Sequence, residues 1–360
     1  MREVSGDGVL NAARLNHVEF YVADAGAAAG DMAARYGFET AGASDPGEDG
    51  PERSVAIRQG TITLVFTSAS TPAHPVSEYV DEHGDGVAAI GLRVDDARAA
   101  FQEAVSRGAR PVAEPAPLGG GVAASVQAFG DVVLRFVQLP EGADGGAVPW
   151  LAPAAPAGAG GTGLEVLDHF AVCLPSGDLD PHVDFFETVM GFETIFAEHT
   201  VVGDQVMDSK VVQNAAGDVT LVLLEPGHKG GAPGQVDEFV KANSGPGVQH
   251  IAFSTEDIVG TVGTLKDREV EFLDPPASYY ELVDARLNVT RHTLAELQRL
   301  NILADEDHDG ELFQSFTRPA TPRRTYFFEV IERAGATTFG SGNIKALYEA
   351  VELEQSRQRS

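Results

Sequence analysis

Three residues in the second half of the chain could together hold a metal ion. His169 lies in "LDHFAVCL", His250 in "VQHIAFS" and Glu329 in "TYFFEVIER", and the branched and aromatic residues of these stretches favour β-strands. Two imidazoles and one carboxylate are the ligand set of non-haem Fe(II) oxygenases, which leaves coordination positions open for substrate and O₂. The residue types therefore suggest a mononuclear Fe(II) centre built on three strands.

Each of these residues also has a structural interpretation when it is taken alone. A histidine on a strand is more often a satisfied core or surface residue than a ligand. Glu329 sits among apolar residues and could be an ion-paired structural carboxylate. Sequence separations of 81 and 79 residues form no local motif, so the metal hypothesis needs support from the organisation of the chain.

Internal repetition supplies that support. "LNHVEFYV" from Leu15 and "LDHFAVCL" from Leu167 are each followed by a polar turn, a helical stretch and Gly-Phe-Glu-Thr. A second pair of similar segments begins at Gly84 and at Gly245. The chain therefore resembles four copies of one strand-rich unit, two in each half. Strand-rich units with single short helices predict α+β domains with curved, largely antiparallel sheets.

The copies differ where a metal would bind. His17 corresponds to His169, but Ala89 stands where the second half has His250. A shorter match places Arg135 opposite Glu329. Only the second half carries the full ligand set, which predicts one structural and one catalytic domain.

A stretch rich in Pro, Gly and Ala separates the two halves at residues 139–163. We interpret it as an interdomain linker, with a long surface loop within one domain as the alternative. The predicted boundaries are an N-terminal structural domain at 1–138 without a full metal site, and a C-terminal catalytic domain at 164–360.

Composition excludes several classes of function. The formal charge of −29 argues against binding nucleic acid or an anionic membrane. No apolar run is long enough to span a membrane, and the N-terminus lacks the pattern of a secretory signal. The single cysteine, Cys173, cannot form an internal disulfide. We therefore expect a cytoplasmic protein.

Five motifs give the chain a family resemblance: "LDHFAVCL", "GVQHIAF", "LFQSFT", "FFEVIER" and "FGSGNIKALYEAVE". Over nearly its whole length the chain resembles the 4-hydroxyphenylpyruvate dioxygenase family of the vicinal-oxygen-chelate superfamily. The resemblance implies glyoxalase-like βαβββ modules paired into two open β-barrels, with Fe(II) in the C-terminal barrel. It implies His169, His250 and Glu329 as metal ligands, 4-hydroxyphenylpyruvate and O₂ as substrates, and an oligomer such as a homodimer.

The resemblance also implies which residues line the substrate pocket. Ser209 and Gln235 match polar positions of the family pocket, and Gln314 and Phe316 share one face of a strand. The C-terminal segment has apolar residues at helical spacing. An amphipathic helix packed on the core would explain that spacing, and the family adds the role of a lid over the site. Three residues of this segment would face the substrate: Phe339, Ile344 and Tyr348.

Two departures from the dioxygenase pattern bear on the product. "GNIKALYEAVE" stands where homogentisate-forming enzymes read like "GNFKALFEAIE", so that Ile344 and Tyr348 replace phenylalanines. "TLVLLEPG" has Val222 and Leu224 in place of the Pro and Asn of "FPINEP". Both features are similar to the hydroxymandelate-forming members. They favour benzylic hydroxylation to 4-hydroxymandelate and CO₂, a product that feeds hydroxyphenylglycine and hence peptide antibiotic biosynthesis.

Other functions remain open at this point. A homogentisate-forming dioxygenase would share fold, metal and substrate. An extradiol ring-cleaving dioxygenase would use the same ligand set, but it needs further His and Tyr side chains near the metal as bases, and the sequence does not identify them. A metal-free ligand-binding protein on the same fold is a non-enzymatic alternative, and the intact triad argues against it.

Overall fold

Two curved mixed sheets, with helices on their outer faces, form the two halves of the protein. The computed structural model describes residues 8–44, 51–155, 160–202, 205–227, 233–319, 325–340 and 342–347, together with residues 321 and 323. Each half contains two βαβββ modules, and each sheet curls into a half-barrel. The predicted fold class is confirmed.

The N-terminal sheet has the strand order β6-β7-β8-β5-β1-β4-β3-β2-β9. Its strands are β1 (Arg14–Tyr21), β2 (Glu39–Ala43), β3 (Glu52–Gln59), β4 (Ile62–Ala69), β5 (Gly86–Arg93), β6 (Pro111–Leu118), β7 (Gly121–Phe129), β8 (Val132–Gln138) and β9 (Ala152–Pro153). Its helices are α1 (Ala25–Tyr36), α2 (Pro75–His83) and α3 (Ala97–Ser106). A 3-10 turn at Val9–Ala12 precedes β1.

The C-terminal sheet has the order β11-β12-β13-β10-β14-β17-β16-β15. Its strands are β10 (Val166–Cys173), β11 (Glu193–Val202), β12 (Gln205–Gln213), β13 (Thr220–Pro226), β14 (Gly247–Ser254), β15 (Leu303–Glu306), β16 (Glu311–Phe316) and β17 (Phe327–Ala334). Its helices are α4 (Leu179–Thr188), α5 (Gln235–Ala242), α6 (Ile258–Asp267), α7 (Ala277–Arg286) and α8 (Leu294–Leu300). Residues 342–347 form a further helical turn.

The repeated Gly-Phe-Glu-Thr motif marks where the chain turns from the first helix of each half into the next strand. Gly37 and Gly191 have φ angles of 77° and 72°, in the left-handed region that glycine adopts without a Cβ penalty. The phenylalanine that follows is buried in both copies, and the glutamate begins the next strand. The motif repeats because both turns need the same backbone conformation and the same apolar anchor.

Strand pairing confirms the internal correspondences. In each half the first strand pairs antiparallel with the fifth strand, and the fifth strand pairs parallel with the eighth. These strands are β1, β5 and β8 in the first half and β10, β14 and β17 in the second. The register across these strands is the same in both halves: His17–Gly91–Arg135 in the first and His169–Ala252–Glu329 in the second. The match of Arg135 with Glu329, which rested on a short stretch of sequence, is therefore borne out.

Alternation along the strands separates two surfaces. On β10, Phe170 and Val172 join the main core, whereas Ala171 and Cys173 pack on the concave side. On β13, Val222 and Leu224 also face the concave side. Because successive side chains point to opposite faces, His169 shares the concave side with Ala171. The convex faces hold the helices and the core, and the concave face of the C-terminal half is left for the site.

The two halves meet through aromatic side chains. Phe328 lies 5.4 Å from Tyr36 and 6.4 Å from Phe20 between ring centroids, and Phe253 lies 6.1 Å from Phe38. Phe328 is the neighbour of Glu329 and therefore points away from the concave side. The strands that carry His250 and Glu329 thus rest against the N-terminal half.

Part of the predicted linker packs into the N-terminal half-barrel. Val148 and Leu151 are buried against Ala56 and Val65, and Trp150 packs beside them. The short strand β9 pairs with β2. This segment covers the surface that corresponds to the concave side of the C-terminal half. No helix in the described part of the chain is long and apolar enough to cross a membrane.

Candidate metal centre and substrate cavity

Three strands bring His169, His250 and Glu329 together at the concave side of the C-terminal sheet. Their ligand atoms all lie within 4.8 Å of one another. Oε2 of Glu329 is 3.5 Å from Nε2 of His169 and 3.3 Å from Nε2 of His250. Metal bonds of about 2.1 Å at right angles would place neighbouring ligand atoms about 3 Å apart. The three side chains therefore fit a single metal ion on one face of its coordination sphere.

The residue that precedes each histidine orients its ring. Nδ1 of His169 is 2.7 Å from Oδ1 of Asp168, and Nδ1 of His250 is 3.3 Å from Oε1 of Gln249. Because these oxygens accept hydrogen bonds, each Nδ1 carries the proton and each Nε2 keeps its lone pair for a metal. Burial lowers the pKa of His250, although the Glu329 carboxylate opposes the shift, so this imidazole is neutral as a ligand must be.

Asp168 is held as a carboxylate. Its two oxygens accept hydrogen bonds from Nε and Nη2 of Arg333 at 2.8 and 2.9 Å. Burial opposes ionisation, but the hydrogen bonds from Arg333 and His169 outweigh it and hold the pKa of Asp168 well below its usual range. The base behind His169 is therefore charged at every physiological pH.

A chain of hydrogen bonds supports Glu329 from the other side. Nε2 of Gln314 donates to Oε1 of Glu329 at 2.8 Å, and Nδ2 of Asn343 donates to Oε1 of Gln314 at 2.8 Å. The Tyr279 hydroxyl donates to Oδ1 of Asn343 at 2.6 Å and accepts from the Ala304 amide. All four side chains are buried. Gln314 is thus engaged on both sides, by the metal-ligand carboxylate and by the C-terminal helix.

The ligands open onto a cavity of ≈ 330 Å³, within the range of about 300–1,000 Å³ common for small-molecule sites. Phe327 stacks on His250 at 4.9 Å, Phe316 meets the edge of His250 at 6.0 Å, and Phe339 meets His169 at 5.3 Å. These rings give the ligands an apolar surrounding on the substrate side.

The cavity brings together the residues that the sequence pointed to. It is lined by the triad and by Ser209, Val222, Leu224, Gln235, Gln314, Phe316, Phe339 and Ile344. Tyr348 lies outside the described residues. The sequence reasoning missed Gln249, Phe327 and Asn343, which also line the cavity, and Asp168 behind it. The polar residue before each histidine, in "NH", "DH" and "QH", was a signal that could have found Asp168 and Gln249.

The corresponding place in the N-terminal half contains no ligand set among its described residues. The Arg135 guanidinium donates to Glu19, the Thr67 hydroxyl donates to the same carboxylate at 2.7 Å, and Trp150 covers the guanidinium at 5.3 Å. Burial, together with the charge of Arg135, lowers the pKa of His17 to about 3. A fixed guanidinium thus supplies the positive charge in this half, where Ala89 replaces the second histidine.

A second set of neighbouring carboxylate and imidazole side chains lies in a turn formed by Asp307, His308 and Asp309. His308 and Asp309 are exposed. The Asp307 carboxylate accepts backbone N–H groups from Thr337 and Thr338 at 2.8 and 3.0 Å, and further N–H groups of its own turn. Burial opposes ionisation, but these hydrogen bonds outweigh it and hold the pKa of Asp307 well below its usual range, which gives the carboxylate a structural role.

Comparison with known proteins agrees with this geometry. Residues 10–145 match the model described as hydroxyphenylpyruvate dioxygenase, N-terminal, and residues 166–285 match the glyoxalase/bleomycin resistance protein/dioxygenase superfamily. The 4-hydroxyphenylpyruvate dioxygenase of Hordeum vulgare is 34% identical over 94% of this chain and 86% of its own length. The chain belongs to the 4-hydroxyphenylpyruvate dioxygenase family.

Two further proteins are similar to this chain over nearly its whole length. The 4-hydroxyphenylpyruvate dioxygenase of Danio rerio is 33% identical over 94% of this chain and 90% of its own length. A triply substituted 4-hydroxymandelate synthase from Streptomyces coelicolor is 40% identical, with a TM-score of 0.82 over 95% of this chain and 99% of that one. The triad of His169, His250 and Glu329 is consistent with the Fe(II) centre of these non-haem iron dioxygenases.

Proposed function

We propose that this protein catalyses the Fe(II)-dependent reaction of 4-hydroxyphenylpyruvate with O₂ to give 4-hydroxymandelate and CO₂. The relatives from barley and zebrafish act on 4-hydroxyphenylpyruvate by name, which supports the substrate. The 40% identity with a hydroxymandelate synthase exceeds the 34% and 33% identity with these two dioxygenases, which supports the product.

The bound Fe(II) would supply O₂ activation and oxidative decarboxylation of the 2-oxo acid. The residues of the chain would hold the metal, orient the substrate and exclude water from the site. His169, His250 and Glu329 would hold the metal through one imidazole nitrogen each and a carboxylate oxygen, which would leave coordination positions for the substrate and O₂. Phe316 and Phe339 exclude water from that side, which favours reaction with the bound substrate over side reactions.

The observation that carries the choice of product is that three aliphatic residues, Val222, Leu224 and Ile344, line the cavity. Benzylic and ring carbons of one substrate lie only a few ångströms apart, so orientation decides which is hydroxylated. A phenylalanine at position 344 would fill space that isoleucine leaves open. With isoleucine at this position, the substrate can turn so that its benzylic carbon, rather than its aromatic ring, faces the metal site.

Product analysis tests this proposal directly. The Fe(II)-loaded protein is incubated aerobically with 4-hydroxyphenylpyruvate, and O₂ uptake, CO₂ release and the aromatic product are measured by chromatography with mass spectrometry. We expect 4-hydroxymandelate as the main product and no turnover without metal. Homogentisate as the main product would overturn the product and support the second candidate, a homogentisate-forming dioxygenase, which the dioxygenase relatives favour.

The same measurement addresses the non-enzymatic alternative. A metal-free binding protein would bind the 2-oxo acid without O₂ uptake or CO₂ release. Glu329→Gln is the matched control, since it removes one ligand and keeps the shape of the side chain.

A further inference from the structure

Arg333 lies behind the metal-binding triad and contacts two separate segments beside it, Asp168 and residues 336–339. It is four residues beyond Glu329 on β17, and the backbone alternation places both on the same face of the strand. Its Nε and Nη2 atoms form a bidentate pair with Asp168 at 2.8 and 2.9 Å. Its Nη1 atom donates to the carbonyls of Thr338 at 2.6 Å and Ala336 at 3.4 Å. Its Cζ atom lies over the ring of Phe339, 4.9 Å from the ring centroid.

The contact with Asp168 fixes one metal ligand from behind. Asp168 accepts the Nδ1 proton of His169, and this bond sets the direction of the Nε2 lone pair. A planar guanidinium holds both carboxylate oxygens at once, which restricts rotation of the carboxylate more than a single donor could. Loss of Arg333 would let Asp168 turn, and the imidazole would follow it.

The contact with residues 336–339 fixes the same ligand from the front. Phe339 lines the cavity and meets His169 edge-on at 5.3 Å between ring centroids. The guanidinium lies over the face of that ring and donates to the carbonyl of Thr338. One side chain thus places both the base behind His169 and the ring in front of it.

We propose that Arg333 is a positioning residue that couples the metal-binding geometry of His169 to the docking of residues 336–340 on the site. Metal binding should then slow opening of this segment, and loosening the segment should weaken metal binding, because the coupling is reciprocal. This inference rests on the proposed function only in that a metal binds at the triad.

The test compares three variants of the full-length protein with Co(II) as the probe under anaerobic conditions. Arg333→Met removes every polar contact of the guanidinium, and Arg333→Lys keeps its charge without the planar fork. Arg286→Met is the matched control. Arg286 also donates to the C-terminal segment, at the Gly342 carbonyl at 3.0 Å, but pairs with Asp305 rather than with the residues behind His169.

Two readouts are followed. One is the Co(II) dissociation constant with the visible absorption of the bound ion, which reports coordination geometry. The other is amide hydrogen exchange of Thr337 and Thr338, whose N–H groups donate to Asp307, with and without Co(II).

We expect Arg333→Met to weaken Co(II) binding by about 10- to 100-fold, to alter the spectrum, and to abolish the protection that metal gives these amides. Arg333→Lys should recover part of each effect, and Arg286→Met should stay within about threefold of the parent affinity, the spread expected for an uncoupled change.

Parent-like affinity, spectrum and metal-dependent protection in Arg333→Met would overturn the proposal. Absence of Co(II) binding by the parent protein would instead count against the proposed function, so the two failures are distinguishable. If Arg333→Met does not fold, Asp168→Asn replaces it, because that side chain keeps its shape and loses its charge. Unchanged affinity and spectrum in Asp168→Asn would equally overturn the proposal.

Discussion

Replacing Glu329 with glutamine should reverse the order of stability between parent and variant when metal is added. In the metal-free protein the carboxylate is 1% exposed and faces two imidazole nitrogens at 3.3 and 3.5 Å. A glutamine can keep every contact. Its carbonyl accepts from Gln314, and its amide donates to a neutral Nε2. The substitution therefore removes a buried charge and leaves no polar atom unsatisfied.

The magnitudes follow from this geometry. A buried carboxylate without a cation is costly, and we expect metal-free Glu329→Gln to be more stable than the metal-free parent by about 1–3 kcal/mol. A metal at about 1,000 times its dissociation constant stabilises the parent by about 4.1 kcal/mol, which exceeds that difference. The variant lacks one ligand and should gain little. The parent is then the more stable protein with metal, and the variant is the more stable one without it.

Urea unfolding, with and without Co(II) under anaerobic conditions, measures both differences. Glu306→Gln is the matched control, because Glu306 is exposed on β15, and it should change neither value by more than about 0.5 kcal/mol. A metal-free Glu329→Gln variant that is clearly less stable than the parent would contradict this prediction. Equal stabilisation of parent and variant by the metal would contradict it as well.

Three further predictions concern other parts of the molecule. Ile344→Phe should raise the proportion of homogentisate among the products, and Ile344→Leu is the volume-matched control. An unchanged product ratio in Ile344→Phe would mean that residue 344 does not determine which carbon is hydroxylated. Arg135→Met should destabilise the protein by about 3–5 kcal/mol, because it leaves Glu19 buried and unpaired with only 5% of that side chain exposed. Adding Glu19→Gln should recover part of this loss in urea unfolding, and no recovery would mean that packing rather than charge is responsible. Burial raises the pKa of the Cys173 thiol, so at pH 8 a thiol reagent should label it only on unfolding, and rapid labelling of the native protein would contradict this.

Internal repetition made much of the fold predictable. The repeated motifs reflect local requirements, such as the left-handed glycine at Gly37 and Gly191, and these are visible in the sequence. The positions of His169 and His250 followed from comparing the repeats. The match of Arg135 with Glu329 was weaker in the sequence, and the strand register decided it.

Other features depend on contacts that the sequence does not display. Arg333 and Asp168 are separated by 165 residues, and only the pairing of β10, β14 and β17 brings them together. The packing of Val148 and Leu151 into the N-terminal half-barrel was hidden in a stretch whose composition is typical of a linker. Helices α7 and α8 enlarge the fourth module between α6 and β15, and α7 supplies the Tyr279 that supports Asn343. Such long-range partners are selected by tertiary packing, which local pattern does not encode.

The aromatic interface between the halves has a consequence for how such a protein can evolve. The N-terminal half has a guanidinium covered by a tryptophan where the C-terminal half has its triad, yet the C-terminal half depends on it for packing. Phe253 and Phe328, on the backs of the strands that carry His250 and Glu329, need the surface formed by Phe20, Tyr36 and Phe38. A gene shortened to the C-terminal half would leave this apolar surface in water and the strands of the triad without their support. A shortened gene of this kind should therefore not give a stable protein, although all three triad residues lie in the half that it keeps.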